Sequence, residues 1–527
     1  MLKRAILAAA LALAACAPAP DARVEAAETL YADYLDAAGA KDTIESGLVS
    51  QYAGADGPAW RQRYAMQREA LKAAIARIDE GKLSPLNRRA LGAMRAGIEY
   101  RDTLSLAPTG DCAKRTDAAG DALRSSLYAC FSSIGDAIAF EGKTDPRTAA
   151  LQMLERLDEP ARRRALFFAM APLWQAVNGD GGLQSPYRRL INERAARAQL
   201  TIRLAEASLG IAPGEGERWL ERALDAWPRD ARVEPWDFRH GYAAGVRAVA
   251  QCAPVEKLKA TNDRFFADLG ADLAALGVMQ DVGNRPGMSP VDYSDFVRVG
   301  REVSSAYRPA IARVSVILQE GGLGGSAELA HELGHAVHFA AIRTRPSLAF
   351  TDDLTLAGEA FADITAWSVY TPAWQRKYLG CASTEAEGLR ARLGGVALDM
   401  AWGLFEIRMS RDPALDPNAV WTDITQRYLG VAAHPELSWW AVRGQLVDDP
   451  GYMIHYALGA FATADIRARI AADIGAFDAG NPRWYGYVSD RLFRFGGERP
   501  PAELLQSFLG RPVSPDALIA DLRRAAD

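Results

Sequence analysis

The stretch 328–338, Glu-Leu-Ala-His-Glu-Leu-Gly-His-Ala-Val-His, constrains this chain more than any other. It sets His331 and His335 four residues apart, with Glu332 between them. Four-residue spacing puts two side chains on one face of a helix, so both imidazoles can point at one ion. Glu332 stands beside them, placed to take a proton from the water that such an ion activates. The chain has only six histidines in 527 residues. At that composition, chance gives roughly 0.01 matches to the pattern.

A zinc hydrolase usually keeps three protein ligands and leaves a fourth position open. Glu359 is the best third ligand for a single zinc ion. It lies in Leu354–Tyr370, a proline-free segment with helical apolar spacing. Asp363, four residues on, shares its face and is placed to accept the free N–H of a zinc-bound histidine; its plainer reading is an exposed helix charge. Glu320, Glu328, Asp352 and Asp353 are rivals for the third position. His338 falls on nearly the same face as His331, but about 10 Å along the axis. It therefore lines a cleft or packs, and does not share the ion.

With these residues in place, HELGHAVH at His331–His338 resembles the thimet oligopeptidase family. The gap from His335 to Glu359 and the stretch GEAFADITAWSVYTP at Gly358–Pro372 resemble the angiotensin-converting enzyme family. Asn192–Arg197 and Pro435–Arg443 are similar to segments of the converting enzymes, and Phe493–Leu522 is similar to the oligopeptidase C-terminus. The resemblance covers about 311–527 and is faint before that. It implies a zinc metallopeptidase of the HExxH gluzincin type, of oligopeptidase or peptidyl-dipeptidase mode. The implied fold is mainly α, two-lobed around a deep central cleft, with a small β-sheet near the zinc helix. Such a cleft admits oligopeptides and excludes folded proteins.

Both families place tyrosines after the zinc helices, where they hydrogen-bond the tetrahedral intermediate. The matching run is Pro450–Phe461, with Tyr452 and Tyr456 again four apart. A phenol suits an oxyanion, because it keeps its proton at neutral pH and can point into a dry site. Val447 stands where the oligopeptidases have a histidine, and Gly459 where they have a further tyrosine. The substrate-binding lysine and histidine of the converting enzymes have no clear counterpart, and His455 is the candidate substitute. His455 fits a core or helix-surface place equally well, and two tyrosines in an apolar helix are often core aromatics, though the resemblance favours a catalytic role for at least one.

Ahead of the motif, Ile311–Gln319 is rich in β-branched residues and reads as a strand, followed by a flexible Gly321–Gly325 turn. A peptide could add to the edge of such a strand. Helical spacing recurs at Arg23–Leu48, Ala59–Glu80, Pro85–Ser105, Arg147–Val177 (with a break at Pro160) and Pro186–Leu209. Trp236, Trp439 and Trp440 are candidates for cleft walls or for packing.

The N-terminus has the layout of an export signal. Lys3 and Arg4 precede the apolar run Ala5–Ala15, which is too short to span a bilayer. The ending Leu-Ala-Ala-Cys16 resembles a bacterial lipoprotein signal, with Cys16 the acylated residue. Ala17 after it favours outer-membrane sorting, so the expected place is membrane-anchored and facing the periplasm. Residues 1–15 then form the signal, 16–22 a tether, 23–310 an N-terminal helical region and 311–527 the catalytic region. Cys112, Cys130, Cys252 and Cys381 remain, an even number that permits two disulfides, with Cys112–Cys130 the expected pair.

A net charge of −5 gives no basis for nucleic-acid binding, and the expected state is a monomer. Two other functions fit less of the pattern. One is a catalytically weak peptide-binding lipoprotein; the other is a zinc hydrolase of a non-peptide amide such as a cell-wall fragment.

Overall fold

The N-terminal apolar spacing becomes helices α1 (Ala22–Glu45), α2 (Gly57–Ile75) and α3 (Pro85–Leu104). Val24, Ala27, Tyr31 and Tyr34 recur along one face of α1. They meet Leu71, Ile75, Leu91 and Met94 in a small core of their own, joined by Leu348. In this computed structural model the described residues are 22–48, 56–104, 119–229, 232–285, 288, 291–304 and 306–525. The expected signal, Cys16, most of the tether and Cys112 lie outside them.

The segment 147–177 forms three helices, Arg147–Arg156, Pro160–Ala169 and Ala171–Asn178. Pro160 and Pro172 sit in the first turns of the second and third, where a missing N–H is no loss. Helix α4 (Pro186–Leu209) starts on a Ser185 cap and stops at Gly210, whose φ of 72° is the left-handed conformation glycine favours. The main hydrophobic core draws on residues from both sides of position 310. The fold is mainly helical, with a few small sheets. No described helix is long and apolar enough to cross a membrane.

The largest sheet has three strands: β1 (Met279–Gly283), β2 (Tyr293–Arg298) and β3 (Ile311–Ile317). The strand expected at 311–319 is β3, but it is the central strand and not an edge. It pairs in parallel with β1 and antiparallel with β2. Both neighbours are polar enough to hide from a hydrophobicity pattern. The near-continuous burial of Ala312–Val316 is that of a strand covered on both faces.

Two further helices carry the motif and the candidate third ligand: α5 (Leu323–Ala341) and α6 (Thr355–Ala366). The expected glycine turn is shorter than 321–325, because α5 begins at Leu323. Its Gly322 cap donates to the Ala253 carbonyl at 2.7 Å. Helix α6 lies between α5 and α8 (Met453–Ile474). Thr365 donates to Ala330 O at 3.0 Å on one side, and Thr463 donates to Ala360 O at 3.2 Å on the other. Gly334 allows the first contact, since a Cβ there would lie 2.7 Å from the Ala362 carbonyl oxygen. Helix α7 (Glu385–Arg411) opens with a Thr384/Glu387 capping box and packs along α8.

A disulfide joins Cys252 to Cys381. Cys130 is also disulfide-bonded, while its expected partner Cys112 is not described.

Candidate metal centre

Helix α5 presents His331 and His335 on one face, and α6, held close by Gly334, delivers Glu359 opposite them. His331 Nε2 lies 3.3 Å from Glu359 Oε2, and His335 Nε2 lies 3.5 Å from the same oxygen. Ligand atoms of the three residues fall within 4.8 Å of one another. Tetrahedral ligands at about 2.0–2.1 Å from a zinc ion sit about 3.3 Å apart. Glu359 Oε2 is buried and accepts no hydrogen bond among the described residues. An anionic oxygen desolvated in this way needs a cation, and the donor set of two imidazoles and one carboxylate fits zinc.

Electrostatics point the same way. Burial alone would depress the His331 imidazole, but Asp363 and Glu359 outweigh it and hold it well above its ordinary value. Burial alone would raise Glu359, yet the two imidazoles hold it well below the usual carboxylate range. The cluster is thus built around positive charge. Asp363 Oδ1 lies 2.8 Å from His331 Nδ1, which fixes the ring with Nε2 toward Glu359. No such partner meets His335 Nδ1 among the described residues.

Glu332 is 5% exposed, and its Oε2 is buried without a hydrogen-bond partner. Burial raises its carboxyl above the ordinary value against the pull of His335 and His331. Ser294 on the edge strand β2 donates to the Glu332 backbone carbonyl at 2.8 Å, tying the sheet to the centre of the motif.

The two tyrosines occupy different surroundings. Tyr452 donates from its hydroxyl to Glu359 Oε1 at 2.7 Å. Among the described residues, Tyr456 has only a 3.5 Å approach from Gln445 Nε2 at its hydroxyl. Its ring is 5.6 Å from the Arg443 guanidinium, which also lies over Trp402 and pairs with Asp399. Burial holds both phenols well above their ordinary value, so both are protonated donors. His455 is buried, with its ring 5.0 Å from that of Tyr452. Burial pushes it down to about 4 against the pull of Glu359, so it is neutral near pH 7.

Other residues singled out from sequence fall elsewhere. His338 is fully buried against Phe339, Phe361 and Phe493, and neither ring nitrogen has a described partner. Glu320 pairs with Arg156, and Asp353 forms two bonds of 2.8 and 2.9 Å with Arg89. Trp439 and Trp440 are core residues, and Trp236 packs against Phe167 and His434. Sequence reasoning missed Ser294, Gln445, the Asp399–Arg443 pair, and Glu406 on α7. Only Glu406 carried a signal, as a lone acid within the apolar run Trp402–Ile407.

No family model and no curated protein matches the sequence. Among solved structures, the chain is similar to PZ peptidase A with inhibitor 2, at a TM-score of 0.54 and 15% identity, covering 94% of this chain and 95% of that one. It is also similar to Trypanosoma cruzi metallocarboxypeptidase 1, at 0.51 and 15%, covering 96% and 99%. The M32 carboxypeptidase from Deinococcus radiodurans R1 is similar at 0.50 and 15%, covering 95% and 98%. At these identities the likeness establishes the fold, a helical metallopeptidase fold over nearly the whole chain.

Proposed function

We propose that this chain is a zinc metallopeptidase that hydrolyses oligopeptides. The convergence of His331, His335 and Glu359 on one point, with the buried Glu332 Oε2 left without a described partner beside it, carries the reading. Solved structures of the same fold that are peptidases by name support it.

His331, His335 and Glu359 would hold a zinc ion, which would supply the Lewis acidity to activate water and polarise a peptide carbonyl. Glu332 takes the proton of the attacking water on Oε2 and passes it to the leaving amine. Its raised pKa suits both halves of that task. Tyr456 donates from its hydroxyl to the carbonyl oxygen as negative charge develops there. Neutral His455, beside the tyrosines, is the second candidate donor. An extended peptide lying along β2, the edge strand tied to Glu332 by Ser294, would gain main-chain bonds without side-chain selection.

The N-terminal sequence supports an exported lipoprotein anchored through Cys16 and facing the periplasm; the proposed enzyme is a monomer acting on peptides, and its net charge of −5 gives no basis for nucleic-acid binding. The oligopeptidase or dipeptide-releasing mode is the finer reading that the family resemblance supports.

Glu332→Gln is expected to keep zinc and lose nearly all turnover on a mixed peptide library, and chelator is expected to silence the wild type. Wild-type rates in purified Glu332→Gln would remove the base. A library left intact by zinc-loaded protein would favour a binding lipoprotein or a hydrolase of another amide.

A further inference from the structure

The Glu359 carboxylate is divided between two tasks. Oε2 faces the two histidines, while Oε1 accepts the Tyr452 hydroxyl at 2.7 Å. Tyr452 is the cap residue of α8, so the position of its ring depends on the turn that leads into that helix. This turn, Pro450-Gly451, is held from α7 by Glu406. One Glu406 oxygen accepts the Gly451 N–H at 2.7 Å, and the other accepts the Met453 N–H at 2.8 Å. On the other side Gly451, at φ 102°, lies against α4, where a Cβ would come within 3.0 Å of the Ala198 backbone. The start of α8 is therefore pinned between two helices.

Glu406 is fully buried, and no cation pairs with it among the described residues. Burying a carboxylate on two neutral N–H groups costs several kcal/mol, and an apolar residue of similar volume would avoid that cost. It would also leave two backbone donors unsatisfied. Glutamine and histidine each bring a donor of their own, which would oppose one of the two N–H groups. Only a carboxylate accepts at both points. The fold thus keeps an expensive group at a place where its effect is to fix the residue bonded to the third metal ligand.

We propose that Glu406 and Tyr452 are a pair of positioning residues for the metal. Glu406 fixes the turn, the turn fixes the Tyr452 hydroxyl, and the hydroxyl holds Glu359 with Oε2 toward the two histidines. Metal affinity then depends on a carboxylate that touches neither metal nor substrate. Tyr452 serves the ligand, and oxyanion donation falls to Tyr456. This inference rests on the reading of His331, His335 and Glu359 as the metal site.

The test is zinc affinity of the full-length protein, measured by competition with a chromophoric chelator. The pH is 8.5, above the value of about 8 to which burial pushes the Glu406 carboxyl. Tyr452→Phe and Glu406→Gln are each expected to weaken zinc binding roughly 10- to 100-fold, as loss of an outer-shell partner does. The double variant should be no worse than the weaker single, because both changes break one chain of contacts. Circular dichroism of the metal-free proteins should match the wild type. Glu406→Asp, which keeps both acceptors on a shorter stem, should lose less affinity than Glu406→Gln, and it carries the test if the glutamine variant does not fold. Wild-type zinc affinity in folded Tyr452→Phe, or strictly additive losses in the double variant, overturns the proposal. A wild-type protein that binds no zinc would instead overturn the metal reading itself.

Discussion

Gly334, between the motif's glutamate and its second histidine, lets α5 approach α6 closely, and Gly334→Ala tests what that closeness is for. The added Cβ would lie 2.7 Å from Ala362 O, 2.8 Å from Ala362 Cα and 3.0 Å from Thr365 Oγ1. Relaxed contacts between such atoms are about 3.5–4.0 Å, so the helices must part by roughly 0.7–1 Å. Metal sites hold ligand distances to about 0.2 Å. Because Glu359 is three residues from Ala362, the shift moves the third ligand by several times that tolerance. Global stability changes much less. Alanine gains about 1 kcal/mol in helix propensity over glycine, and overpacking costs about 1–3 kcal/mol. The variant should therefore stay folded, lose at most about 2 kcal/mol, and bind zinc at least roughly tenfold more weakly. Gly395→Ala on α7, with open space around the new methyl, is the control; it should gain about 0.5–1 kcal/mol and keep zinc affinity. Chelator competition and denaturant unfolding report the two quantities. Wild-type zinc affinity in Gly334→Ala would refute the argument that helix separation sets the ligand geometry.

Three other changes have defined outcomes. Tyr456→Phe should lower kcat by roughly 10²–10³ with little change in KM and zinc content; a kcat within a few-fold of wild type would return Tyr456 to the core. His434 bonds Glu436 at 2.7 Å and Glu234 at 2.8 Å, and these carboxylates raise its pKa against burial. A raised folded pKa stabilises below the unfolded value of about 6.5, and the effect fades as pH rises through the folded value. His434→Gln should thus cost up to about 1 kcal/mol at pH 6 and progressively less at alkaline pH, given its solvent exposure; equal loss at pH 6 and pH 9 would contradict this. Replacing Cys252 and Cys381 by serine opens a bridge spanning 129 positions and should cost about 2–4 kcal/mol in denaturant unfolding, whereas an unchanged midpoint would show that the bridge adds nothing to stability.

Much of this architecture is written locally in the chain. Helix α4 runs over Pro186–Leu209 because Ser185, Pro186 and Gly210 are its punctuation, and β3 is visible because five of its seven residues are apolar and four of those are β-branched. What stayed hidden depends on distant partners. The central place of β3 comes from β1 and β2, whose mixed polarity shows no period. The Cys252–Cys381 bridge joins residues 129 positions apart, and no local pattern marks either cysteine for the other. The spacing of Tyr452 and Tyr456 marks both alike, and only the fold separates them by giving one hydroxyl to Glu359.

The position of the ligands along the chain also bears on the order in which the molecule assembles. His331 and Asp363 are 32 positions apart, on two helices that pack directly, whereas Tyr452 reaches Glu359 across 93 positions. Short loops close at lower entropic cost, so the helical pair has a kinetic advantage over the long-range docking of α8. A chain folding in the presence of zinc would thus capture the ion on α5 and α6 first and receive its tyrosines later. The protein would be metal-loaded but silent for an interval, and under the proposed function that order would keep the centre inactive while the rest of its own chain is still unfolded.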